Sequence, residues 1–80
     1  MKFCEKLNEY IASISCTAKE LCALSGISEA TLSRYRSGER VPELGTKGFD
    51  GLCTGIAQIA ESKAPNLTYE KIKEEFCSCS

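Results

Sequence analysis

Apolar residues recur along this chain at helical spacing, in five blocks separated by short polar breaks. Phe3, Leu7, Tyr10, Ile11 and Ile14 fall three or four residues apart, with Lys2, Glu5, Lys6, Asn8 and Glu9 between them. That spacing puts the apolar side chains on one stripe of an amphipathic helix over about residues 2–14. A second block places Leu21, Cys22 and Ser25 inward on a helix over about 18–25, and a third sets Ile27, Leu32 and Tyr35 on one side of a helix over about 29–36. Phe49, Leu52, Cys53, Ile56, Ile59 and Ala60 predict a long fourth helix over about 49–63, with residues 43–48 as a linker. Pro65 ends that helix near Lys63, because a residue preceding proline avoids the α region. Tyr69, Ile72 and Phe76 then mark a fifth helix over about 68–76, stapled by Leu67 and capped by Thr68. No block alternates with period two, so the expected fold class is all-α: one compact five-helix domain covering residues 1–80.

The punctuation between the second and third helices is the most specific signal. Thr17 precedes Glu20 by three residues, the pattern in which a hydroxyl caps the helix while the carboxylate reaches back to the cap N–H. Gly26 falls where that helix must stop in a left-handed conformation, which costs a residue with a Cβ roughly 1–2 kcal/mol and glycine almost nothing. Ser28 caps the next helix at once. Ile27 and Cys16, each just before a cap, can staple to Leu32 and Leu21. Two capped helices joined by a turn of about three residues predict a helix-turn-helix, whose second helix fits a DNA major groove. Gly38 and Pro42 close the segment with a C-cap and a chain reversal.

Within this segment Thr17, Glu20-Leu21, the small residue Cys22, Gly26-Ile27-Ser28, Thr31-Leu32-Ser33-Arg34, Gly38 and Pro42 resemble the helix-turn-helix of phage repressor, Cro and Xre-type transcriptional regulators. The likeness covers about a third of the chain closely, and the family's five-helix layout could extend over nearly all of it. It implies a repressor-like DNA-binding domain that reads double-stranded DNA as a homodimer, with the third helix in the major groove. Glu29, Ala30, Ser33 and Arg34 gather on the side of that helix opposite its core stripe and are the expected base-reading residues. Arg34 suits guanine O6 and N7, Ala30 a thymine methyl and Glu29 cytosine N4. Thr17, Ser28, Thr31, Ser37 and Arg40 are the expected phosphate contacts. Arg36 reads equally well as a contact or as an ordinary solvated charge. Where the family commonly begins its second helix with a phosphate-binding glutamine, this chain has Ala18, and near the end of the first helix it has Ile11 rather than a basic or polar contact.

Charge tempers the picture. A formal net charge of −1 does not describe a strongly basic nucleic-acid binder. The charges are unevenly placed, however: Arg34, Arg36 and Arg40 stand against Glu29 and Glu39 in residues 28–40, while Glu70, Glu74 and Glu75 collect near the C-terminus. A protein–protein interaction domain of the same fold is the alternative that the acidic balance, Ile11 and Ala18 favour.

Six cysteines open a third reading, a redox or metal sensor drawing on Cys4, Cys16, Cys53, Cys77 or Cys79. Three of the six fall on helical positions that suit small buried side chains, Cys22 among the sites where two helices cross closely. The tail pair Cys77-Ser-Cys79 has no histidine anywhere in the chain and no Cys-x-x-Cys to complete a zinc site, so no metal or other cofactor is expected. With no histidine, no nucleophile–base pair and no glycine-rich phosphate cradle, the sequence carries no signal for catalysis.

An 80-residue chain buries only about 60% of its unfolded surface, so modest stability is expected. No apolar run reaches the ~18 residues of a membrane span, and the charged start lacks a signal-peptide core, which points to a cytoplasmic protein without a membrane partner. The abrupt stop at Ser80 fits the N-terminal piece of a longer regulator with an additional C-terminal domain. Gly51 and Gly55 interrupt the fourth helix and point either to close packing of another backbone or to a dimer contact.

Overall fold

The computed structural model describes residues 2–79, and the expected continuation past Ser80 lies outside them. It is all-α, with five helices in the order α1 (Phe3–Ile14), α2 (Ala18–Ser25), α3 (Glu29–Ser37), α4 (Lys47–Lys63) and α5 (Tyr69–Cys77). The helix ends follow from local chemistry. Thr17, Ser28, Thr46 and Thr68 each accept a backbone N–H three residues on through the side-chain hydroxyl, which satisfies one of the donors that every helix start leaves orphaned. Gly26 and Gly38 end α2 and α3 at φ 76° and 84°, where a Cβ would be strained.

One boundary differs by more than a residue from the sequence reading. α4 begins at Lys47 rather than near 49, so the linker is shorter than residues 43–48. The Thr46 hydroxyl caps the Phe49 N–H at 3.3 Å and itself donates to the Glu43 carbonyl at 2.7 Å. The first turn, Lys47-Gly48, is polar and carries no periodicity signal. α1 ends at Ile14, where the apolar spacing placed it, and its C-cap Ser15 has a φ of 51° and ψ of 40°, left-handed although it is not glycine.

All five helices contribute to one core. Leu7, Ile14, Leu21, Leu32, Leu52, Cys53, Ile56 and Ile72 have their side chains fully buried. α2 packs on α4 most extensively, and α1 lies against both α3 and α4. The glycines of α4 explain the first contact. A Cβ on Gly51 would stand 2.3 Å from the Ser25 carbonyl oxygen, and one on Gly55 would meet Leu21 Cδ1 at 3.1 Å and Ser25 at 3.3 Å. Gly51 and Gly55 therefore serve close packing of α2 within the chain, the first of the two uses the sequence left open.

α5 is held by aromatic packing. Phe76 lies 4.6 Å from Phe3, 5.3 Å from Tyr10 and 6.1 Å from Phe49 between ring centroids, the last two edge-on, an arrangement in which positive ring edges meet negative faces. The radius of gyration is 11.1 Å, slightly below the roughly 12 Å expected of a compact chain this long. Among the described residues, no helix is long and apolar enough to cross a membrane.

Candidate nucleic-acid interface

α2 and α3 are joined by Gly26-Ile27-Ser28. The turn is short because both ends are prepared: the Gly26 N–H returns to the Cys22 carbonyl at 3.0 Å, and the Ser28 hydroxyl accepts the Thr31 N–H at 3.2 Å. Ile27 between them is buried, which pins the turn to the core. Thr17 and Glu20 form the expected reciprocal cap: the Glu20 N–H donates to the Thr17 hydroxyl, and the Thr17 N–H donates to Glu20 Oε1, both at 3.1 Å. These bonds to the Thr17 N–H and hydroxyl hold the Glu20 carboxyl below the ordinary carboxylate range.

α3 buries Leu32 and Tyr35 and leaves Glu29, Ala30, Ser33 and Arg34 exposed. The four candidate base-reading residues thus share the solvent side of one rigidly seated helix, as the 100° spacing requires. They do not all face the same way within it. Glu29 and Ser33 line a cleft of about 590 Å³, together with Asn8 of α1, Ala18 of α2, and Arg36 and Ser37 of α3. Ala30 and Arg34 lie outside that cleft.

The candidate phosphate contacts divide differently. The Thr17, Ser28, Thr31 and Ser37 hydroxyls are all engaged within the chain: Thr17 donates to Glu20 Oε1 at 3.1 Å, Ser28 donates to Thr31 Oγ1 at 2.9 Å, and Ser37 donates to the Arg34 carbonyl at 3.1 Å. Their first task is capping. Arg40 is exposed just beyond α3, with its backbone N–H held by the Arg34 carbonyl at 3.2 Å. Among the described residues neither Arg34 nor Arg40 is ion-paired.

One feature of this face escaped the sequence reading. Arg36 is exposed, but its guanidinium is tethered to α1. Its Nε donates to Asn8 Oδ1 at 2.8 Å, and the Asn8 amide donates back to the Arg36 carbonyl at 3.0 Å. A reciprocal pair across 28 residues of sequence carries no local signature; only the helical phase of Asn8, on the flank of the α1 apolar stripe, hints at it.

The cysteines are structural where they are buried. Burial raises the Cys53 thiol to about 12, with Asp50 adding to the effect. Burial and then Glu20 raise Cys16, and burial and then Glu29 raise Cys22. Such thiols are poor nucleophiles and poor metal ligands at neutral pH. Cys77 is exposed at the end of α5, and the half-buried Cys79 donates to the Glu75 carbonyl at 3.3 Å. Among the described residues no group of three or more Cys, Asp or Glu side chains is placed to hold a metal ion.

In comparison with known proteins, no family model matches the chain, and neither a curated protein nor a solved structure matches it.

Proposed function

We propose that α2, the Gly26–Ser28 turn and α3 act as a helix-turn-helix that binds double-stranded DNA, with α3 in the major groove. The observation that carries this reading is the exposed side of α3: short side chains at Ala30 and Ser33 beside Arg34, which has no ion-pair partner among the described residues, on a helix fixed by Leu32, Tyr35 and a cap at each end. A groove reader needs a solvent-facing helix side that carries groups able to pair with base edges and is not consumed by the core. Arg34 is assigned to guanine, Ala30 to a thymine methyl and Glu29 to cytosine N4.

Affinity in this reading comes from Arg40 and from backbone N–H groups at the starts of α2 and α3, because the neighbouring hydroxyls are engaged in caps. The resemblance to repressor, Cro and Xre-type regulators supports a role in transcriptional control and a homodimer on two half-sites about one helical turn apart. Binding to a random-sequence duplex pool, followed across a salt series, tests the proposal. Affinity is expected to fall linearly with salt on logarithmic axes, and Arg40→Ala is expected to weaken all sequences alike. Absence of binding at low salt by folded protein would overturn it.

A further inference from the structure

The cleft between α1, α2 and α3 contains a cation that the base-reading face does not use. Arg36 lines it together with Asn8 and with Ala18, the first residue of α2. Ala18 has no side-chain donor to offer an anion there. Arg36 has the donors that Ala18 lacks. A guanidinium carries five N–H donors, and here Nε is committed to Asn8 Oδ1 at 2.8 Å. This bond fixes the plane of the group and leaves the terminal nitrogens, the pair that grips oxyanions as a fork. Among the described residues no carboxylate pairs with Arg36.

We infer that Arg36, oriented by Asn8, is a phosphate clamp that takes a DNA backbone phosphate into the cleft before Ala18. One further observation agrees. Lys63, outside the cleft lining, donates to the Ser15 carbonyl at 3.3 Å and so sets a cation beside the chain segment that leads into α2. Glu29 lines the opposite end of the cleft, seven residues and thus roughly 10 Å along the α3 axis from Arg36. It confines an anion to the Arg36 end and sets a repulsion that Glu29→Gln would relieve. Asn8 is a positioning residue: it holds the guanidinium and has no phosphate contact of its own.

This inference rests on the DNA reading of α3, and the test separates the two. The probe is a random-sequence duplex pool, titrated with full-length protein at several salt concentrations. Arg36→Ala is expected to reduce the magnitude of the logarithmic salt slope by about 0.9, the release of one counterion. Arg36→Lys is expected to keep the slope while losing several-fold in affinity, because the point charge remains and the fork does not. Asn8→Ala is expected to weaken binding by wild type but not by Arg36→Ala, since its effect passes through Arg36. An unchanged slope and affinity in Arg36→Ala, with Arg34→Ala still altering base preference, would overturn the clamp and leave the DNA reading standing. If Arg36→Ala fails to fold, an Arg36→Lys protein that binds as wild type does, with Asn8→Ala equally silent, would overturn it. A wild-type protein that binds no duplex at low salt overturns both.

Discussion

At Gly51 the α4 backbone approaches the Ser25 carbonyl so closely that an added Cβ would stand 2.3 Å from its oxygen. The obstacle is backbone rather than a flexible side chain, so α2 or α4 must move to accept any other residue. On an exposed helix, glycine to alanine would gain up to about 1 kcal/mol in propensity. Here the overpacking term, typically about 1–3 kcal/mol, opposes and exceeds that gain. Gly51→Ala is therefore expected to lower the denaturation midpoint. Gly55→Ala should do so less, since one of its tight neighbours is the movable Leu21 Cδ1 at 3.1 Å. A neutral or stabilising Gly51→Ala would show that the two helices are more loosely seated.

Ser15 presents the opposite case. It is the one non-glycine residue with positive φ among those described, and its neighbours on α1 and Lys63 use only its backbone: the N–H donates to the Ala12 carbonyl at 3.3 Å and the carbonyl accepts from Lys63. Left-handed backbone costs an L-residue roughly 1–2 kcal/mol. Ser15→Gly removes that strain, offset in part by about 0.4–1 kcal/mol of added freedom in the unfolded chain. The variant is expected to be more stable than wild type by up to about 1 kcal/mol in denaturant titration.

The fold was legible in the sequence wherever side-chain period and capping chemistry coincided. The Thr17 and Ser28 caps, the Gly26 turn and the Ile27, Leu32 and Tyr35 stripe all lie within a few residues of the groups they contact. The start of α4 was not, because Thr46 caps a polar, glycine-containing turn with no apolar phase to mark it. For the candidate site, exposure of Glu29, Ala30, Ser33 and Arg34 followed from helical geometry alone. The Arg36–Asn8 pair did not, because it depends on how α1 crosses α3, a tertiary relation no local pattern encodes.

Acid stability should depend on Glu75. Its carboxylate accepts a hydrogen bond from the Tyr10 hydroxyl and pairs with Lys6 Nζ at 3.4 Å. The Tyr10 bond first, and Lys6 after it, hold the carboxyl below its ordinary range despite partial burial. A carboxyl depressed in the folded state contributes stability that is fully present above its unfolded pKa, about 4.3, and is lost as pH falls through the lower folded value. Stability measured from about pH 5 downward is expected to decline less steeply in Glu75→Gln than in wild type. The residual slope belongs in part to Glu20, which is depressed by its bonds to Thr17. Identical acid limbs would mean that the Glu75 contacts do not persist in solution.

Thiol labelling at neutral pH distinguishes packing cysteines from reactive ones. Cys53 is fully buried and its thiol is raised to about 12, so alkylation there should require unfolding. Cys77 is exposed and should be modified first. Labelling of Cys53 at the rate of Cys77 in native protein would contradict its place in the core.

The central claim, that α3 reads base edges through Arg34, is tested most directly by selecting bound sequences from a random duplex pool with wild type and with Arg34→Ala. Wild type is expected to enrich a defined motif containing a guanine. Arg34→Ala is expected to lose preference at that position alone, a discrimination of about 1–3 kcal/mol, while still folding and binding. Enrichment of no motif by wild type, or an unchanged motif in Arg34→Ala, would contradict it.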